Sequence, residues 1–233
     1  MTTQSVRIDY YTDVLCIWAY IAQIKVDQIR QDFGESVDLH YRYLSLFGNN
    51  RARIGEGWKD GGFAGYGAHV CNVAAPCDYV EVNPEVWSRN APATSLPAHL
   101  YLNAVEILAA AGTIAAAPSG TYQGRTEAQE LAWRIRQAFF RDLRDVSNLG
   151  VLRELAESQG LPIDAIEREI HSGAAFARLS LDIDDKERLR LEGSPTFILN
   201  EGRQKLYGNV GYDVIATNIR ALQERASSRP VWR

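Results

Sequence analysis

Few side chains in this chain are capable of covalent chemistry, and Cys16 is singled out by its place. It follows the alternating run Val6, Ile8, Tyr10 and precedes Ile17, Tyr20 and Ile21, where a strand pattern gives way to a helix pattern. A helix start exposes unpaired N–H groups and partial positive charge, which favour a thiolate and make a nucleophile near neutral pH. A buried structural cysteine fits the same position, because free cysteine is among the most buried residue types. The other thiols are Cys71 and Cys77, in His69-Val70-Cys71 and Pro76-Cys77-Asp78. A zinc site wants four ligands at tight spacing and too few stand here, so no metal is expected. Either cysteine reads as a partner that resolves a disulfide on Cys16, or as a small buried residue. His99, in Ser95-Leu96-Pro97-Ala98-His99, reads as a general base near a pocket or as a packing or capping side chain. The glycines around Gly65 neither follow a strand nor open a convincing helix, so they make no phosphate loop.

The elements that must position these groups follow from periodicity. The first strand leads into a helix marked by Ile17, Tyr20, Ile21 and Ile24, which should stop at Gly34. Val37, Leu39, Tyr41 and Tyr43 alternate with Asp38, His40 and Arg42 in a second strand. Near the other end, Thr196-Phe197-Ile198-Leu199 is a short strand, Glu201-Gly202 a turn and 204–207 a returning strand. Ile215, Ile219 and Leu222 mark a closing helix, and the tail 227–233 is expected to be loose. Between the two ends the chain reads as nearly all helix. One helix runs from about Ser95 to Ala111. Another carries Leu131, Ile135 and Phe139, with a capping box of Thr126 and Gln129. A third is stopped by Gly160, and a fourth has Pro162 in its first turn and Gly173 at its end. The stretch 48–67 holds seven glycines and little periodicity, and reads as a long flexible loop of the kind that forms lids.

This order, β-α-β, then helices, then β-β-α, predicts an α/β chain with a thioredoxin-like fold and a large all-helical insertion. Residues 1–44 and 194–226 are expected to form the thioredoxin-like domain and 45–193 the helical insertion. The segment Asp13-Val14-Leu15-Cys16-Ile17-Trp18-Ala19-Tyr20-Ile21 resembles the active-site segment of DsbA-like thiol oxidoreductases, in particular their FrnE-like cytoplasmic branch. Ser194-Pro195-Thr196-Phe197 is similar to that family's cis-proline loop, and 139–147 and 149–173 are similar to its insertion. The resemblance implies that Cys16 is the attacking thiol. It implies that Trp18, Ser194, Pro195 and Thr196 border the substrate and that Ser194–Pro195 is cis. In a thioredoxin sheet the strand after Pro195 lies beside the first strand, so this loop should face Cys16.

One departure bears on mechanism. The family's second active-site cysteine is replaced by Ala19, so a mixed disulfide on Cys16 cannot be resolved from that position. The resemblance therefore implies monothiol chemistry on a thiol or disulfide substrate, with no tightly bound cofactor and glutathione as the candidate co-substrate. The related 2-hydroxychromene-2-carboxylate isomerases and kappa-class glutathione transferases supply an alternative. They carry serine where Cys16 stands and an acidic residue after the last strand, where this chain has Tyr207-Gly208-Asn209-Val210-Gly211. A redox-inactive binding protein on the same fold is the second alternative.

Composition excludes other classes. Hydrophobic residues are 46% and charged residues 23%, an ordinary globular balance, and the net charge of −4 is a poor match for nucleic acid. No apolar stretch approaches the ~20 residues of a membrane span. Three cysteines are no disulfide framework, and Met1-Thr2-Thr3-Gln4-Ser5 has neither the basic start nor the apolar run of an export signal. A cytoplasmic location is expected, and a homodimer is compatible with it.

Overall fold

The computed structural model describes residues 5–227. The first four residues and all of the tail but Ser227 lie outside them, so the expectations for the leader and the loose tail do too. Strand β1 (Val6–Thr12) is followed by α1 (Ile17–Ile21), α2 (Gln23–Phe33) and β2 (Val37–Tyr43). Helices α3 (Gly62–Ala74), α4 (Leu96–Ala110), α5 (Glu127–Phe140), α6 (Leu149–Ser158), α7 (Ile163–His171) and α8 (Ala174–Arg188) come next. Strands β3 (Thr196–Leu199) and β4 (Gln204–Tyr207) and helix α9 (Tyr212–Ser227) close the chain. The sheet order is β2-β1-β3-β4, with β2 parallel to β1 and β3 and β4 antiparallel to their neighbours. This is the thioredoxin-like arrangement that the element order predicts. Tyr11 pairs with Thr196, which brings the loop entering β3 beside the end of β1.

The stop and cap signals hold. Thr126 and Gln129 form a reciprocal capping box, and Gly34, Gly160 and Gly173 adopt positive φ at helix ends. Three readings need correction. The first helix is broken at Ala22, whose N–H bonds both Trp18 O and Tyr20 O in a tightened turn. Past this break Ile24 is 45% exposed, while Val26 and Ile29 are buried. The stretch 48–67 is not a flexible loop: Arg51–Glu56 is a turn of π-helix, and α3 starts at Gly62. Its glycines serve close packing. A Cβ on Gly65 would lie 1.5 Å from Asp60 O, and one on Gly67 would lie 2.3 Å from Val86 O. Helix α8 was not resolved as a separate element by periodicity, because its exposed face carries Phe176 and Leu181.

A buried polar chain fixes the helices to the end of β1. Arg136 of α5 is fully buried and donates to Thr12 Oγ1 at 2.8 Å and to Gln23 Oε1 at 2.9 Å. Gln23 Nε2 in turn donates to Asp27 Oδ1 at 2.9 Å. Arg125 donates to Asp27 Oδ1 at 3.0 Å and to Glu130 Oε2 at 3.2 Å. Two guanidiniums thus face two carboxylates, and α2, α5 and β1 are tied together under the active-site helix. Removing one partner from such a set strands a buried charge, which costs about 3–5 kcal/mol. Asp27→Ala should therefore lower unfolding stability by about that amount in urea titration, whereas Asp27→Asn, which keeps an acceptor for Arg125, should cost less. Equal costs for the two variants would show that the charge is not what holds Arg125.

Candidate active site

The turn between β1 and α1 is built on Asp13. Its carboxylate is fully buried, and three groups from three parts of the chain donate to it. Oδ1 accepts the Leu15 N–H at 3.0 Å, and Oδ2 accepts the Phe47 N–H at 3.0 Å and the Ser95 hydroxyl at 2.9 Å. The first bond folds the turn on itself, the second holds the segment after β2, and the third holds the start of α4. Asp13 N–H donates to Ser194 Oγ at 3.0 Å, which joins the same turn to the loop entering β3. Sequence reasoning placed Asp13 in the motif but gave it no role. The available signal was a charged residue at the strand-to-helix junction, next to the apolar Val14 and Leu15.

Cys16 follows as the N-cap of α1, in extended conformation, with its carbonyl accepting Tyr20 N–H at 3.0 Å. Its thiol donates to Ser194 O at 3.2 Å. The Ser194–Pro195 peptide is cis, as expected from the motif. Cys16 and the loop before β3 are therefore brought together. Cys16 is only 5% exposed, and the expectation of a lowered thiol pKa is not met. Burial pushes the thiol above its ordinary value, hydrogen bonding to Ser194 and to the backbone at Ala19 and Trp18 pulls it back, and the Asp13 charge adds to the rise. The five-residue α1 offers little helix field to oppose this.

The other expected residues divide. Trp18 is 40% exposed beside Cys16, free to meet a substrate. Ala19 is buried one turn beyond Cys16, with its N–H on Cys16 O at 3.1 Å. Thr196 is buried, and its hydroxyl donates to Gly193 O at 2.7 Å, so it braces the loop and presents no side chain outward. His99 is buried in α4, stacks on Tyr43, and its Nε2 accepts Val14 N–H at 3.3 Å while standing 3.6 Å from Asp13 Oδ1. Burial pushes its pKa down, which keeps the ring neutral and Nε2 an acceptor. This geometry makes His99 a support of the turn. Tyr66 of α3 was missed: burial pushes its phenol's pKa up, and the charge at Cys16 adds to the rise. Cys71 directs its thiol to Asn83 O at 3.9 Å, and all three cysteines are free. No group of His, Cys, Asp and Glu among the described residues could hold a metal ion, and no described helix is long and apolar enough to cross a membrane.

Comparison with known proteins gives this geometry a context. Residues 7–220 match the family model described as DSBA-like thioredoxin domain. Among solved structures, one named as a candidate protein disulfide isomerase of Nitrosomonas europaea superposes with a TM-score of 0.69 at 15% identity, over 95% of this chain and 98% of that one. The cytosolic disulfide reductase DsbM of Pseudomonas aeruginosa, solved with GSH, gives 0.63 at 18% identity, over 96% and 100% of the two chains. A 2-hydroxychromene-2-carboxylate isomerase gives 0.59 at 15% identity, over 96% and 100%. A curated relative, the ClpXP adapter protein SpxH of Shouchella clausii (strain KSM-K16), is 25% identical over 117 residues, and the match spans 49% of this chain and 38% of that protein.

Two outcomes test the site. At pH 7 the buried Cys16 thiol should alkylate more slowly than the half-buried Cys77, and its rate should keep rising with pH beyond the range of a free thiol, read by peptide mass mapping. Cys16 labelling as fast as Cys77 would contradict the burial effect. Asp13→Ala should leave Leu15 N–H, Phe47 N–H and Ser95 OH without their acceptor, at about 1–3 kcal/mol each. Urea unfolding should register that loss, and Asp13→Asn, which keeps one acceptor oxygen, should recover part of it.

Proposed function

Because this chain belongs to the DsbA-like thioredoxin domain family, we propose that it is a thiol–disulfide oxidoreductase or isomerase acting through Cys16 alone. The observation that carries the reading is the Cys16 thiol at the start of α1, 3.2 Å from the carbonyl before a cis proline, with a methyl group at Ala19. In the resting site the thiol is covered and protonated. Substrate docking against Trp18 and the Ser194–Pro195 loop uncovers it, and exposure relieves the desolvation that holds its pKa up. The released proton passes to solvent.

The thiolate then attacks one sulfur of a substrate disulfide. A Cys16–substrate S–S bond forms as the substrate's own S–S bond breaks, and the second substrate sulfur leaves as a thiolate. Ala19 offers no sulfur for the next step, so an outside thiol completes it. Its sulfur attacks the substrate sulfur of the mixed disulfide, takes the substrate into a new disulfide and returns Cys16 as a thiolate. Glutathione is the proposed outside thiol, supported by the likeness to a cytosolic disulfide reductase solved with GSH. If a different cysteine thiolate of the substrate attacks that substrate sulfur instead, a new substrate disulfide forms as Cys16 leaves as a thiolate, and the result is isomerisation with no net redox change. The same reading assigns the protein to a reducing compartment such as the cytoplasm.

The likeness to a 2-hydroxychromene-2-carboxylate isomerase favours a second reading, in which glutathione binds as cofactor to a small-molecule isomerase. Incubation with oxidised glutathione separates the two. The first reading expects one glutathione adduct, mapped to Cys16 and abolished by Cys16→Ser. In Ala19→Cys, position 19 lies one helical turn from Cys16, and the adduct should give way to an internal disulfide with dithiol reductase activity. Glutathione binding with no adduct on Cys16 would favour the isomerase reading, and an adduct confined to Cys71 or Cys77 would remove Cys16 from the chemistry.

A further inference from the structure

Tyr207, the last residue of β4, has no part in the chemistry described above, yet it is tied to the loop on which that chemistry depends. It pairs with Thr196 across the sheet, and the next N–H, that of Gly208, donates to Pro195 O at 2.8 Å. Its backbone is thereby fixed to the proline loop. Its side chain meets the same loop at Gly193. A Cβ on Gly193 would stand 3.1 Å from the Tyr207 hydroxyl oxygen and 3.2 Å from Cε2. Gly193 is not among the residues with positive φ, so glycine stands there for the space it leaves and not for its backbone freedom. The edge of the ring fills that space, against the residue that precedes Ser194.

The rest of the ring is open. Tyr207 is 49% exposed, and its side chain makes no hydrogen bond or ring contact among the described residues. Ser194 O, one residue along the loop, accepts the Cys16 thiol at 3.2 Å. Adjacent Cα atoms are about 3.8 Å apart, and an extended peptide advances about 3.3 Å per residue. A substrate whose sulfur reaches Cys16 along this loop therefore brings the residue next to its cysteine over the ring. Trp18, 40% exposed, follows the thiol on α1. One exposed aromatic thus stands by each of the two segments that meet at the Cys16–Ser194 bond. Such rings offer a large apolar face that loses little entropy on contact and pairs well with other rings.

We propose that Tyr207 is a specificity-determining residue, whose ring receives the side chain beside the attacked cysteine and favours peptide disulfides with an aromatic residue at that place. The proposal rests on thiol exchange at Cys16 and names the substrate class of that same site. Glutathione has only glutamyl and glycyl neighbours to its cysteine and gains nothing from the ring, which suits it to the part of outside thiol.

The test uses the full chain and two acetylated, amidated peptides, Gly-Phe-Cys-Phe-Gly and Gly-Gly-Cys-Gly-Gly, each with its cysteine in a mixed disulfide with thionitrobenzoate. The Cys16 thiolate attacks the peptide sulfur. A Cys16–peptide S–S bond forms as the peptide–thionitrobenzoate bond breaks, and the coloured thiolate leaves because its thiol is the stronger acid. Below saturation the parent should release colour about tenfold faster from the Phe-flanked peptide. Tyr207→Ala should bring that ratio down to about twofold, and Tyr207→Phe, which keeps the ring, should hold most of it. The change should fall on the peptide concentration that half-saturates capture and not on the limiting rate, as a contact made on binding requires. Equal parental rates, or a Tyr207→Ala variant that slows both peptides alike and keeps their ratio, would overturn the proposal; the second outcome would make the ring a prop for the loop. Colour release that survives Cys16→Ser would remove the thiol-exchange reading and this proposal with it. Release that depends on Cys16 but ignores the Phe side chains would leave that reading standing and remove only the role of Tyr207.

Discussion

The Asp13 carboxylate is the constraint on which the site depends. A charge with no solvent access has to be met by donors, and it draws them from the turn itself, from the segment after β2 and from the start of α4. Those bonds decide where α1 begins, and therefore where Cys16 stands. The Asp13 N–H to Ser194 bond then fixes the distance between that turn and the proline loop. His99, with its Nε2 on Val14 N–H, backs the same turn from α4. The thiol's environment is the by-product of this arrangement: close enough to Ser194 O to donate, and deep enough that burial outweighs the helix start.

The helical segment between β2 and β3 does more than cover the sheet. Arg136 and Arg125 of this segment reach the end of β1 and α2 through a buried polar chain, so movement of α5 would unseat the residues beneath Cys16. Helix α3 packs closely on the segments around Asp60 and Val86 because Gly65 and Gly67 carry no side chains at those contacts. Helix α8 caps one end of the β2 edge through Asp182, whose carboxyl burial pushes up to about 6 in spite of the Tyr43 N–H and the Arg42 and Arg178 charges around it.

Much of this was written in local sequence. Strand alternation in 6–10 and 37–43, the Thr126–Gln129 capping box, and glycines at positions 34, 160 and 173 each act over a few residues, so they mark their elements without help from the rest of the chain. The place of Cys16 at a strand-to-helix junction and the replacement of a second sulfur by Ala19 are local facts of the same kind. So is the proline that enters β3.

What the sequence could not decide depends on groups far apart in the chain. The thiol pKa is set by burial under α3 and by Ser194, 178 residues away, so the local helix-start argument gave the wrong direction. The glycine-rich stretch reads as mobile because glycine is permissive in isolation, yet here its missing side chains admit Asp60 O and Val86 O. His99 looks available as a lone polar residue, but the Val14 N–H, 85 residues away, engages its Nε2, and the Thr196 hydroxyl is taken by Gly193 O within the same loop. Local periodicity fixes which residues can form an element and which face it must bury. Only packing decides which polar atoms remain free, because that depends on what the rest of the chain brings to them.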